Sequence, residues 1–284
     1  MKGLIFSIEE FAVFDGDGIR VNVFFKGCPL RCRWCHNPEG WEKKIQIVKN
    51  PNGCLNCGIC KKICSSPDNC VLCSNCIVNC PRGLIRESGM WISADELSKK
   101  LLKFQNILKV SGGGLTFSGG EVLMQADFLC EVLDKVSSMH RVIETSGYGD
   151  NDKFKEVLKR VDFVYYDLKI MDSEKHKKYT GVSNELILKN AKILFDSKVP
   201  CVIRVPFIHN VNTDLENLTS LCEFIKNASN VEKTEILCYN KMAGAKYKML
   251  SLEYNEEFFG PDDADLKLME EIFKSYNLEF SITF

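Results

Sequence analysis

The chain has 284 residues, 45% of them hydrophobic, and its 37 basic and 38 acidic residues leave a net charge of -1. This composition argues against a broad electrostatic footprint for nucleic acid or an anionic membrane, and no apolar run approaches the roughly 20 residues that span a bilayer. Cysteine is the exception, at 15 residues: the apolar run after Met1 is too short for a secretory signal, so a cytoplasmic protein is expected, and there a dense, odd set of cysteines reads as metal ligands rather than disulfides.

The first strand expected along the chain is Val21 to Phe25. Directly after it come Cys28, Cys32 and Cys35, in C-x3-C-x2-C spacing with Trp34 beside the last. A [4Fe–4S] cluster is usually held by four thiolates. Three in one short loop would leave one iron without a protein ligand, and an open metal position marks catalysis rather than structure. The loop follows a strand, at the end where βα barrels place their active sites.

Residues 50–88 then lose all hydrophobic periodicity and fill with Cys, Asn, Pro and Gly. Such a stretch cannot bury a core of its own, so metal must supply its folding energy. Its cysteines run Cys54, Cys57, Cys60, Cys64 and then Cys70, Cys73, Cys76, Cys80, with Pro81 after the second run and Pro67 three residues after the first. This is the bacterial ferredoxin spacing twice over, in which the fourth cysteine of each run serves the other cluster. One [4Fe–4S] cluster is therefore expected on Cys54, Cys57, Cys60 and Cys80, the other on Cys64, Cys70, Cys73 and Cys76. A pair of zinc knuckles is the alternative, although zinc sites rarely repeat this spacing.

Strands and helices alternate from there on. Ser93 to Glu96 spells a capping box opening a helix that carries Leu97, Leu101, Phe104 and Leu108 on one face. Ser111-Gly112-Gly113-Gly114 leads through a strand at Leu115 to Phe117 into Ser118-Gly119-Gly120-Glu121, where adjacent glycines let the backbone approach a ligand. Further strands are expected at Val142 to Glu144, Phe163 to Asp167, Cys201 to Val205 and Glu235 to Cys238, between amphipathic stripes over 123–138, 152–160, 184–196, 214–227 and 263–276. The alternation implies an α/β fold with a parallel sheet. About six βα units are too few for a closed eight-unit barrel, so the expectation is a partial barrel over 1–49 and 89–284 interrupted by a small metal-folded domain at 50–88. Cys130, Cys201, Cys222 and Cys238 read as apolar core residues.

Taken together, these strings resemble the radical S-adenosylmethionine (SAM) enzymes. More narrowly, they resemble the activating enzymes of glycyl radical enzymes that carry a two-cluster ferredoxin insert. The resemblance runs from Asp15-Gly16-Asp17-Gly18-Ile19-Arg20 through Phe25 to Leu30 and Trp34 to Glu39, and on to Glu144 to Tyr148, Asp167 to Lys169 and Tyr179 to Asn184. It implies a partial (βα)6 radical SAM barrel with a ferredoxin-like insert. Three departures stand out: Asp17 and Val122 where proline is usual, and Asn240 where histidine is usual.

The resemblance also implies chemistry. Cys28, Cys32 and Cys35 would ligate a cluster whose open iron takes the amino and carboxylate groups of SAM, giving three [4Fe–4S] clusters in all. Trp34 and His36 would line the adenine side, Gly119-Gly120-Glu121 would meet the amino group, and Lys169 would pair with the carboxylate, with Leu168, Arg204 and Asn240 beside them. Asp167, with Glu144, Thr145 and the Tyr165 carbonyl, falls where relatives hold a monovalent cation. Reductive cleavage would give a 5′-deoxyadenosyl radical that takes an α-hydrogen from one glycine of a partner enzyme. The insert clusters would relay electrons from a ferredoxin or flavodoxin. A radical SAM reaction on a small molecule, or a pure electron carrier, are the alternative functions.

Overall fold

The protein, analysed as a computed structural model, is described over residues 1–66, 70–240, 244–254 and 257–284; Pro67 lies outside them. Two strands open the chain, β1 (Lys2–Ala12) and β2 (Arg20–Phe25). A short ribbon, β3 (Gln46–Lys49) with β4 (Ile85–Ser88), brackets two one-turn helices, α1 (Ile59–Lys62) and α2 (Asn75–Val78). Next come β5 (Met90–Ser93), α3 (Ala94–Leu102), α4 (Gln105–Val110), β6 (Gly114–Gly119) and α5 (Ala126–Lys135). The pattern continues with β7 (Arg141–Thr145), α6 (Asn151–Leu158), β8 (Phe163–Asp167), α7 (Ser173–Thr180) and α8 (Glu185–Phe195). It ends with β9 (Cys201–Phe207), α9 (Leu215–Ile225), β10 (Val231–Cys238), α10 (Gly244–Met249), α11 (Asp263–Ser275) and β11 (Phe280–Thr283).

Nine strands form one sheet in the order β11-β10-β9-β8-β7-β6-β2-β1-β5. From β2 to β11 every neighbouring pair is parallel and laid down in chain order, which helical crossovers require. β1 lies antiparallel between β2 and β5. The two edges, β5 and β11, do not meet, so the sheet curls without closing. The six strands expected from the sequence are β2 and β6 to β10; β1, β5, β11 and the ribbon are additions.

Alternation along each strand divides the sheet into two faces. Val164 and Tyr166 of β8, with Ile203 and Val205 of β9, pack under the helices with Leu129, Phe154, Leu194, Leu218 and Phe273. Each such buried side chain contributes roughly 1.5–3 kcal/mol. The intervening Asp167 and Arg204 line the other face, together with Ser118 and Glu144. Polar side chains therefore collect at the C-terminal ends of the strands, on the concave side.

The helix expected from Ser93 onward has its capping box, but it breaks in two. The chain turns at Lys103 and Phe104, where Phe104 meets Phe11 edge-on at 5.9 Å. Leu97, Leu101 and Leu108 still face the core as expected. Cys201, Cys222 and Cys238 are buried, and Cys130 packs against the core from its rim. Among the described residues no helix is long and apolar enough to cross a membrane.

The ribbon has two faces as well. Gln46, Arg86 and Ser88 reach the barrel through Lys26 and Glu39. Ile47, Lys49 and Ile85 face the cysteine-rich segment. That segment is thus joined to the barrel across the thickness of a single ribbon.

Candidate active site and metal centres

One cavity of about 450 Å³ sits at the strand ends. Cys28, Cys32 and Cys35 line it, with Trp34, His36, Gly119, Gly120, Glu121, Glu144, Thr145, Asp167, Lys169, Arg204 and Asn240. One of the residues expected here lies elsewhere. Leu168 is buried in the helix-side core, because alternation turns it away from its neighbours Asp167 and Lys169. Tyr165 packs beneath, its ring 3.6 Å from the Arg204 guanidinium.

The cysteine loop is held by backbone hydrogen bonds on two sides. Gly27 N–H donates to Gly40 at 2.8 Å and Cys28 N–H to Trp41 at 3.0 Å. On the far side, Arg31 N–H donates to Thr180 at 2.7 Å and Arg33 N–H to Tyr179 at 3.0 Å. The Tyr179-Thr180-Gly181 string is therefore a clamp, and Gly181, at φ +83°, makes the left-handed turn that ends α7. Leu30, Cys32 and Trp34 pack with Ile170, Ile208, Val211 and Phe258. Trp34 is only 5% exposed, so it packs the loop while presenting one edge to the cavity.

Burial pushes the Cys28 thiol far up and that of Cys32 up to about 12. At neutral pH only a metal centre would convert such thiols into thiolate ligands. Three convergent cysteines beside a buried ammonium fit an iron–sulfur cluster in their donor chemistry. Lys169 donates to Asp167 at 2.7 Å. Burial alone would lower its pKa, but Asp167 holds it above the usual lysine range.

The two glycines after β6 approach protein backbone as well as the cavity. A side chain on Gly120 would lie 2.5 Å from the Gly27 carbonyl and 2.6 Å from that of Gly40. Gly120 N–H donates to Phe25 at 2.8 Å and Glu121 N–H to Gly27 at 2.9 Å, tying this turn to the start of the cysteine loop. The Glu121 carboxylate turns away from open solvent. It accepts from Thr145 Oγ1 at 2.5 Å, from Ser146 Oγ at 2.6 Å, and from the N–H groups of Ser146 and Leu123 at 2.9 and 3.1 Å. Burial raises its pKa and these donors pull it back. Glu121 is thus a bracket between two strand ends.

Arg204 is flanked by Glu144 and by Glu235, the latter at 2.9 Å, and Ser118 donates to Glu144. Glu144 and Asp167, expected around a cation, are answered here by Arg204 and Lys169. His36 stacks edge-on against Tyr239 at 5.8 Å, and burial lowers its pKa. Sequence reasoning assigned no role to Ser146, Trp41, Tyr239 and Glu235; Ser146 and Tyr239 lay inside strings that resemble the family, while Trp41 and Glu235 are fixed only by tertiary packing. Arg20 of the leading string is fully buried, donating to Thr116 Oγ1 and the Leu115 carbonyl at 2.6 Å each, so it plugs the opposite end of the sheet.

The other eight cysteines gather in two groups. Cys54, Cys57, Cys60 and Cys80 line one cavity of about 270 Å³, and Cys64, Cys70, Cys73 and Cys76 line another. The backbone repeats at an interval of sixteen residues. Asn56 and Leu72 take φ of 52° and 54°, Gly58 and Ser74 take 72° and 59°, and each pair precedes a one-turn helix, α1 or α2. Left-handed backbone at leucine and serine is uncommon and marks a loop that wraps something. Neither helix buries a residue.

Comparison with known proteins agrees with this geometry. Residues 22–222 match the radical SAM superfamily. The chain is 40% identical to a 4-hydroxyphenylacetate decarboxylase activating enzyme of Clostridium scatologenes, over 91% of this chain and 90% of that protein. It is 35% identical to a choline trimethylamine-lyase activating enzyme of Oleidesulfovibrio alaskensis, over 99% and 98%. A solved domain of a pyruvate-formate lyase-activating enzyme from Bacteroides vulgatus superposes with a TM-score of 0.51 at 28% identity, covering 61% of this chain and 99% of that one. The chain belongs to the radical SAM superfamily, among the activating enzymes of glycyl radical enzymes.

Proposed function

We infer that this protein activates a glycyl radical enzyme by placing a radical on one of its glycines. The observation that carries this reading is the meeting, in one cavity, of three buried cysteines with a glycine turn, Asp167 and Lys169. Bound there, a [4Fe–4S] cluster with SAM would supply the one-electron reduction and the radical chemistry that removes the glycine hydrogen. Cys28, Cys32 and Cys35 hold the cluster, while Leu30, Trp34 and Phe258 keep water from its buried side. Lys169 would provide a fixed positive charge for the SAM carboxylate, and the Gly119–Gly120 turn, which lines the same cavity, would meet its amino group. His36 and Trp34 take the adenine side, with Asn240 offering a neutral hydrogen-bonding group. Glu144 and Asp167 form the acidic side of a monovalent cation site, in which the ion would compete with Arg204 and Lys169 for them.

The segment between β3 and β4 holds two further [4Fe–4S] clusters, one on each group of four cysteines. What supports this is the division of eight cysteines between two cavities in the pairing the spacing implies. These clusters relay electrons from a ferredoxin or flavodoxin across the ribbon. Sequence likeness does not choose the partner enzyme, since relatives named for a decarboxylase and a lyase are 40% and 35% identical.

The test is an anaerobic mixture of reconstituted protein, SAM, reductant and a candidate partner. A glycine-centred radical on the partner, with methionine and 5′-deoxyadenosine released, is expected. Cleavage of SAM without a protein radical for any candidate would point to a small-molecule substrate. No cleavage at all would overturn the enzymatic reading.

A further inference from the structure

The two groups of insert cysteines sit in unlike electrostatic surroundings. Between Lys49 and Arg82 the chain carries four bases, Lys49, Lys61, Lys62 and Arg82, against a single acid, Asp68. Lys49, Lys61 and Arg82 line the cavity of Cys54, Cys57, Cys60 and Cys80, and Lys62 follows on α1. Lys61, Lys62 and Arg82 are exposed, and among the described residues none of them forms a salt bridge.

The bases are not there merely to balance thiolate charge. The second group of four cysteines would carry the same charge, yet its described lining, which includes Ile47, Ser65, Val71 and Asn75, contains no charged side chain. Its Ser74 instead donates to an acid, Glu87, at 3.2 Å. An unmatched basic rim around one centre only is the arrangement that steers an acidic macromolecule to that centre.

We propose that the rim formed by Lys49, Lys61, Lys62 and Arg82 is the docking surface for an acidic electron-donor protein, and that electrons reach the insert through the Cys54, Cys57, Cys60 and Cys80 centre. This rests on the relay reading above. One electron leaves the reduced donor, which is oxidised, and arrives at the insert cluster, which is reduced; no bond forms and no proton moves.

The experiment follows bleaching of cluster absorbance in the reconstituted holoenzyme after mixing with an acidic ferredoxin reduced beforehand. In the wild type the second-order rate falls steeply with salt. The double reversal Lys61→Glu with Lys62→Glu lowers that rate by about tenfold at low ionic strength. The difference disappears near 1 M salt, where the Debye length is about 3 Å. Reduction by a photoreduced deazaflavin is unchanged, and Lys267→Glu on α11 behaves as wild type with both reductants. Equal ferredoxin rates in the wild type and the double variant, with insert iron intact by EPR, would overturn the docking surface while leaving the relay in place. An insert that holds no iron would sink the relay itself, and the docking surface with it.

Discussion

Two cysteine loops in one chain are built on opposite plans. The loop at Cys28 is a feature of the barrel: it is clamped by backbone bonds to Gly40, Trp41, Tyr179 and Thr180 and walled by Leu30, Trp34 and Phe258. The segment at 54–80 has two one-turn helices with no buried residue, and left-handed backbone at leucine and serine. The first shape is dictated by the protein, whose hydrogen bonds and packing fix the three cysteines in place. The second has little apolar burial to offset the cost of ordering the chain, which is the energy the proposed clusters would supply.

The largest effect that would break this contrast comes from exchanging single ligands. Cys32→Ser should abolish SAM cleavage and cost the protein about four irons, one cluster's worth. Cys57→Ser should lose a cluster too, yet retain cleavage driven by a small reductant while losing cleavage driven by ferredoxin. Equal loss with both reductants would make the insert a structural part of the catalytic loop. Methionine formation, measured with each reductant, separates the two.

Metal removal sharpens the same comparison. Chelation should open residues 50–84 to proteases, with cleavage there faster by orders of magnitude, while the barrel stays resistant. Mass mapping of the fragments reads this directly. Cuts within 28–35 appearing as early as those in the insert would show that the catalytic loop also depends on its metal.

A smaller change tests how the barrel aims its loop. Gly120→Ala would push a methyl group against the carbonyls of Gly27 and Gly40, both under 3 Å away. Backbone must shift, at a cost of about 1–3 kcal/mol. Because Gly27 leads into Cys28, the shift should also reduce cluster occupancy, which the urea midpoint and iron content together would reveal. A destabilised variant with full iron and full activity would show the loop to be independent of the turn.

The sequence carried the parts whose identity is chemical. Eleven cysteines at fixed spacing, the glycine turn, Asp167 and Lys169 could be named from residue type and spacing, and the structure brings each set together at a cavity. Six strands could be named because they are short, apolar and separated by amphipathic helices. What could not be read was set by partners distant in the chain. β1 pairs with strands on both sides, but its own pattern is broken by two irregularities in register. α7 is too polar to show a stripe, and its importance lies in two carbonyls at its end that receive the cysteine loop. Glu121 lines the cavity, but its bracket role depends on Thr145 and Ser146 arriving from the next strand. Leu168 was grouped with its neighbours although strand alternation puts it on the opposite face.

The smallest expected effect concerns the wall behind Trp34. His209 Nδ1 lies 2.5 Å from Asp265 and 3.9 Å from Asp262, the pair that caps α11, and the His209 backbone N–H donates to the Phe259 carbonyl at 3.1 Å. Next to Phe259, Phe258 packs edge-on against Trp34 at 5.9 Å. The hydrogen bond to Asp265 raises the His209 pKa. A raised folded-state pKa stabilises most where the unfolded histidine is still protonated, below about 6.5, and that contribution fades as pH rises through the folded value. The Tm of wild type minus that of His209→Gln should therefore be greatest in mild acid and shrink toward alkaline pH. Because His209 is partly exposed, added salt should narrow it further. A difference that grew with pH would mean that neutral His209, acting through geometry alone, holds the wall in place.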